Sequence, residues 1–221
     1  MKTLFFLVAV LTAQLASADE YRFRVLLDDR EIGEHSFSFI PLEGDDVYRV
    51  VSTARYDVAF LFVNVYQYRH QSREVWAAGC LQDIASATDD NGEEFQVAGV
   101  RQPGGLKLTV NGKGEMVAER CVRTFAYWDP RLLAAGQLLN SQTGELQPVE
   151  FAELGETPLP WSPATRVRSV ALALADGRIE LWYDSGRWLG LRSTLENGRV
   201  LQYWPADETG QDSARQQEER S

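Results

Sequence analysis

The amino-acid sequence predicts an all-β domain, an antiparallel meander of about ten to twelve strands curled into an open barrel or clam. Three observations carry this. Apolar side chains recur with period two, turn signals return at short spacing, and the C-terminal strands leave almost no room for helices between them. A two-sheet sandwich is the alternative, because so many short strands cannot remain one flat sheet: sheets twist, and long free edges invite aggregation.

Taken in order, Tyr21, Phe23, Val25 and Leu27 alternate with Arg22 and Arg24, and Asp28-Asp29-Arg30 makes a turn. His35, Phe37 and Phe39 continue on a return strand, and Glu43-Gly44-Asp45-Asp46 is a polar loop. Val47–Asp57 and Val58–Arg69 read as strands, the second apolar on both faces at its start, as suits a covered strand. Asp90-Asn91-Gly92 and Asn111-Gly112 are hairpin signals, since Asn-Gly supplies the positive φ angles of a type I′ turn. Gly144 marks a turn between Leu138–Asn140 and Leu146–Val149. Asp129 as N-cap, Pro130 at the first position and Gly136 as stop predict one short helix near 130–136. Three prolines between Gly155 and Pro163 predict an extended loop. Val167–Leu174, Ile179–Tyr183, Trp188–Thr194 and Val200–Trp204 then form a four-stranded meander joined by short polar turns.

The ends differ from this domain. Lys2, the apolar run Leu4–Ala13 and the small residues Ala16-Ser17-Ala18 read as a secretory signal over 1–18, with cleavage between Ala18 and Asp19. About ten apolar residues are too few to span a bilayer, which takes roughly twenty. No later stretch is long enough either, so the mature part is expected to be soluble rather than membrane-spanning. Residues 19–205 form the single β-domain, and 206–221, polar and without aromatics, read as a disordered tail.

The net charge is −10, and removing 1–18 with its one charged side chain, Lys2, makes it −11. Nucleic acid and anionic membrane surfaces reward Lys and Arg clusters, so neither is an expected partner. Cys80 and Cys121 are the only cysteines. In an oxidising compartment an even pair is read as a structural disulfide, with two free thiols as the alternative.

Chemistry-bearing residues are sparse. There is no GxSxG, HExxH, P-loop or GxGxxG motif. The unusual cluster is Tyr66, Tyr68, His70, Glu74 and Trp76. Tyr66, Tyr68 and His70 share one strand face. If Glu74 and Trp76 open the next strand and return alongside, Glu74 would orient the His70 imidazole, making His70, Tyr68 and Glu74 the candidate catalytic groups. Otherwise His70 is a hydrogen-bonded residue at a strand end. His35 joins the cluster only if the first hairpin packs against it. No ligand spacing supports a metal, and no cofactor is expected. Tyr66, Tyr68, Trp76 and Trp182 are candidate ligand contacts, because aromatic side chains give a cavity both apolar area and polar tips.

Several stretches, in their order along the chain, resemble an uncharacterised family of exported bacterial proteins, domain of unknown function 6134. They are FRVLLDDREIG at 23–33 with His35, YQYRH at 66–70, and Glu74-Val75-Trp76 with Gly79 and Leu81. TDDNG at 88–92, Tyr127-Trp128-Asp129, TGEL at 143–146 and LWYD at 181–184 follow. The resemblance implies a Gram-negative periplasmic setting and a β-rich fold, and it carries over no catalytic residue.

Three functions compete. The first is a non-catalytic binding protein for an apolar or amphipathic, lipid-like envelope ligand. The second is an interaction or assembly factor with an envelope protein as partner. The third is a polysaccharide- or cell-wall-active enzyme using His70.

Overall fold

The computed structural model describes residues 20–60, 63–118, 120–175, 177–195 and 197–206. The expected signal at 1–18, its cleavage before Asp19, and the expected tail at 206–221 apart from Ala206 lie outside the described residues. Thirteen strands form one antiparallel sheet. In chain order they are β1 (Glu20–Leu27), β2 (Arg30–Pro41), β3 (Val47–Phe60), β4 (Val63–Ala77), β5 (Cys80–Asp90), β6 (Glu93–Gln102), β7 (Gly105–Val110) and β8 (Lys113–Ala118). After a connecting segment and the small hairpin β9 (Gln137–Leu139) and β10 (Leu146–Pro148) come β11 (Glu150–Leu159), β12 (Ser162–Leu174), β13 (Gly177–Asp184), β14 (Arg187–Thr194) and β15 (Val200–Pro205).

The order across the sheet is two sequential meanders, β11 to β15 and β1 to β8, fused where β15 pairs with β1. Strands β8 and β11 are its edges, so the sheet is open. It curves strongly: the hydroxyls of Tyr56 on β3 and Tyr203 on β15, three strands apart, lie 2.5 Å from each other. Register shifts at Val25/Leu26, Val58/Ala59, Val75/Trp76 and Trp182/Tyr183 help bend it, because an extra residue on one strand locally increases twist.

Residues 120–149 fill the concave side. Val122, Ala126, Leu132, Leu138, Leu139 and Val149 belong to one buried cluster with side chains from both meanders. The expected short helix is a 3-10 helix at Pro130–Ala134, with the Asp129 side chain accepting from the Arg131 N–H. It closes the end of the sheet where Arg131 pairs with Asp46 at 2.6 Å. At that same end the sulfurs of Cys80 and Cys121 stand at disulfide distance, 2.05 Å, with Cα atoms 5.0 Å apart.

The turns at Asn91-Gly92 and Asn111-Gly112 carry the positive φ angles that their sequences predict, and Asp28-Asp29 and Ser185-Gly186 also have positive φ. Three expectations are corrected. Val58–Arg69 is not one strand: the chain reverses between Phe60 and Val63, which pair with each other. Glu74 and Trp76 do not open a new strand, because β4 runs through to Ala77 and the turn falls at Ala78-Gly79. Residues 155–163 are not a loop but the β11–β12 hairpin. Pro158 is tolerated there because β11 is an edge strand, where a missing N–H breaks no ladder bond on the outer side. These reversals, with β9 and β10 outside the main sheet, give fifteen strands among the described residues.

Candidate functional site

The register stacks the concave-face residues of β2 to β5 in tiers. Val50, Glu74 and Ile84 lie side by side near the closed end. Above them come Phe37, Ser52, Ser72 and Ser86, then His35, Ala54, His70 and Thr88, then Tyr56, Tyr68 and Asp90. On β3 and β4 the middle tiers hold three small side chains, Ser52, Ala54 and Ser72, where a filled core would place Leu or Phe. That choice leaves a hollow. A cavity of about 770 Å³ lies between this face and the wall formed by residues 124–128 and 140–142. Its apolar lining includes Leu27, Ile32, Val58, Ile179 and Leu201, toward the end opposite the 3-10 helix. Val65 and Leu195 stand at this mouth, Val65 being 53% exposed.

Polar groups converge in the middle and at the closed end. The His35 Nε2 lies 2.7 Å from the Ser52 hydroxyl, and its Nδ1 lies 3.1 Å from the Tyr203 hydroxyl. The His70 Nδ1 lies 2.8 Å from the Thr88 hydroxyl. Tyr68 donates to Gln142 Oε1, while Tyr66 and the Gln142 amide donate to the two oxygens of Asp90. The Tyr56 and Tyr68 rings stack at 5.1 Å. Glu74 is 3% exposed, and its Oε2 accepts from the Trp76 indole at 3.0 Å and from the Thr124 hydroxyl at 3.2 Å.

Burial sets the protonation states. Loss of hydration holds the His35 imidazole down to about 3, with the nearby His70 adding to the effect, and holds His70 down to about 4. Both rings are therefore neutral at pH 7. Burial pushes the Glu74 carboxyl up to about 7, against the opposing pull of its bonds from Trp76 and Thr124. The Tyr203 phenol is pushed up to about 12 for the same reason, and the Tyr68 phenol far above its ordinary value.

Set against the sequence, Tyr66, Tyr68, His70 and Glu74 all line the cavity. His35 joins them from the first hairpin, across Ala54 from His70. The expected His70–Glu74 pair does not form. Both sit on β4 four residues apart, which at about 3.3 Å per residue separates their Cα atoms by roughly 13 Å. Trp76, 0% exposed, contacts Glu74 from the core rather than lining the cavity. Trp182 lies elsewhere, in a separate cluster with Leu159, Val167 and Trp161, because it alternates with the inward Leu181 and Tyr183 on β13. Tyr56, Tyr203, Ser52, Thr124 and Gln142 are site residues that local sequence does not flag, since each arrives from a distant strand or loop. Ser52, Ala54 and Ser72, small residues at inward positions of β3 and β4, are the one signal that could have announced the hollow. Among the described residues no group of three or more His, Cys, Asp or Glu side chains could hold a metal ion.

A curved all-β sheet wrapped around a mixed polar and apolar cavity defines a β-barrel-like class of protein. The chain belongs to the family of the domain of unknown function DUF6134, whose model matches residues 23–206. Among solved structures it is similar to the crystal structure of a β-barrel-like protein of domain of unknown function DUF1849 from Brucella abortus. That likeness has a TM-score of 0.61 at 11% identity and covers 86% of this chain and 95% of the other. It shows the fold alone. No curated protein matches the chain.

Proposed function

We propose that this chain is an exported binding protein whose clam-like sheet holds one apolar or amphipathic, lipid-like envelope ligand. The observation that carries this reading is the hollow itself. About 770 Å³ falls in the range of small-molecule pockets, and its apolar body with a few convergent polar groups matches their usual lining. Ser52, Ala54 and Ser72 keep it open at a point where larger apolar side chains would be worth several kcal/mol of burial. An enzymatic role for His70 lacks its expected partner, because Glu74 lies four residues along the same strand, roughly 13 Å away.

Export to a Gram-negative periplasm is part of the same proposal. It is supported by the cysteine pair at disulfide distance and by the signal-like N-terminus. Among the described residues no helix is long and apolar enough to cross a membrane. Titration with a neutral fluorescent probe such as N-phenyl-1-naphthylamine tests the binding reading. Saturable one-to-one enhancement is expected, and no enhancement above a denatured control would refute it.

A further inference from the structure

We propose that the occupant of the cavity carries an organic ammonium group, which docks on the free oxygen of Glu74 beside the aromatic wall of residues 125–128. The inference rests on the ligand-binding reading above and names the chemistry at the cavity's closed end.

Glu74 is the starting point. Its Oε2 takes both available donors, Trp76 and Thr124. Its Oε1 has no partner among the described residues, yet it is not one of the fully enclosed polar atoms that lack a bond. Glu74 lines the cavity, so the open side of Oε1 is the cavity side. A carboxylate that is 3% exposed, clamped through one oxygen and presenting the other to a hollow, is a built acceptor site. The other carboxylate in the lining, Asp90, is different: Tyr66 and Gln142 occupy both of its oxygens.

Nothing cationic in the lining competes for Glu74. The one basic residue there, Arg199, is held at 2.7 Å by Asp28 near the mouth. His35 and His70 are neutral, and the bond donors to Glu74 are uncharged. An anionic head group would therefore enter a site holding an acidic side chain and no free positive charge, where it could only oppose the ionisation of Glu74. A cation would instead offset the desolvation that raises the Glu74 carboxyl and would favour its ionised form.

The walls suit the same group. Phe125, Tyr127 and Trp128 line the cavity, and Trp128 meets Trp76, the residue that binds Glu74, edge-on at 6.4 Å. A carboxylate beside aromatic rings in a desolvated pocket is the setting in which ammonium groups gain both a charge-assisted hydrogen bond and attraction to ring faces. The hydrocarbon body would extend toward Ile32, Val58 and Leu201 at the mouth.

The test is displacement of N-phenyl-1-naphthylamine from the wild-type protein by decylamine, decanol and decanoate, which share one chain length. Decylamine should displace the probe at roughly tenfold lower concentration than decanol, with decanoate weakest. In Glu74→Gln the amine's advantage over the alcohol should fall to within about twofold. Equal potency of amine and alcohol on the wild type, or strongest displacement by decanoate, would overturn the ammonium assignment and leave the binding reading standing. Failure of the probe and of all three compounds to bind would remove the binding reading itself. The wild-type comparison decides the matter even if the variant does not fold.

Discussion

Replacing Glu74 by Gln should stabilise the protein at neutral pH and change it little in mild acid. The magnitude follows from the environment of the carboxyl. In the unfolded chain Glu74 ionises near 4.5, whereas in the folded protein burial keeps it protonated up to about 7. Between those values the folded state binds more protons than the unfolded state, so this residue's contribution to stability is fully present below about 4.5 and is lost as pH rises to about 7. At 1.36 kcal/mol per unit, the loss is roughly 3 kcal/mol. Glutamine does not titrate, and its carbonyl oxygen can still accept from Trp76 and Thr124. The assay is chemical denaturation of both proteins at intervals from pH 4.5 to 8, read as the difference between them. Subtraction removes the histidine contributions common to both. The Gln variant should gain on the wild type steadily up to pH 7 and then level off. A difference that stays flat across this range, or that favours the wild type as pH rises, would refute the burial argument.

Other perturbations give equally definite outcomes. The exported protein should weigh two hydrogens less than its reduced form, and reduction should cost about 4 kcal/mol for a separation of 41 residues; alkylation of both thiols in unfolded, non-reduced protein would contradict this. His70→Ala should cost roughly 1–3 kcal/mol at neutral pH, because it strands the Thr88 hydroxyl in the wall, and a thermally silent variant would count against the structural role given to the ring. Trp182→Ala should cost about 3–5 kcal/mol by urea denaturation yet leave probe affinity unchanged, since Trp182 packs in the cluster away from the cavity.

Much of this fold was legible because its hairpins are closed by local chemistry. Asn91-Gly92 and Asn111-Gly112 each announce a left-handed turn in two letters, and Asp28-Asp29-Arg30 announces a turn by its run of charged residues. The reversal between Phe60 and Val63 has no such letters: it lies inside a continuous apolar run, so period and composition both suggest an unbroken strand. The β11–β12 hairpin was hidden by Pro158, Pro160 and Pro163, which signal a loop unless an edge position is known in advance. The pairing of β15 with β1 is a long-range fact with no local code.

The candidate site divides the same way. Tyr66, Tyr68 and His70 could be grouped because strand alternation is local, and they do share the cavity wall. The relation of His70 to Glu74 was misread because it hinged on the position of one turn, which falls after Ala77 rather than before Glu74. His35, Tyr203 and Thr124 come to the cavity through sheet curvature and the filling of the concave side by residues 120–149. Neither is encoded in a short window.

The central claim is that the hollow is occupied by a small amphipathic molecule. Native mass spectrometry of the protein purified from the cells that export it, without detergent, tests this most directly. A surplus mass of one small organic molecule, retained under native conditions and released on denaturation, is the predicted result. A bare polypeptide mass in every preparation, with no mass shift on adding decylamine, decanol or N-phenyl-1-naphthylamine, would contradict it.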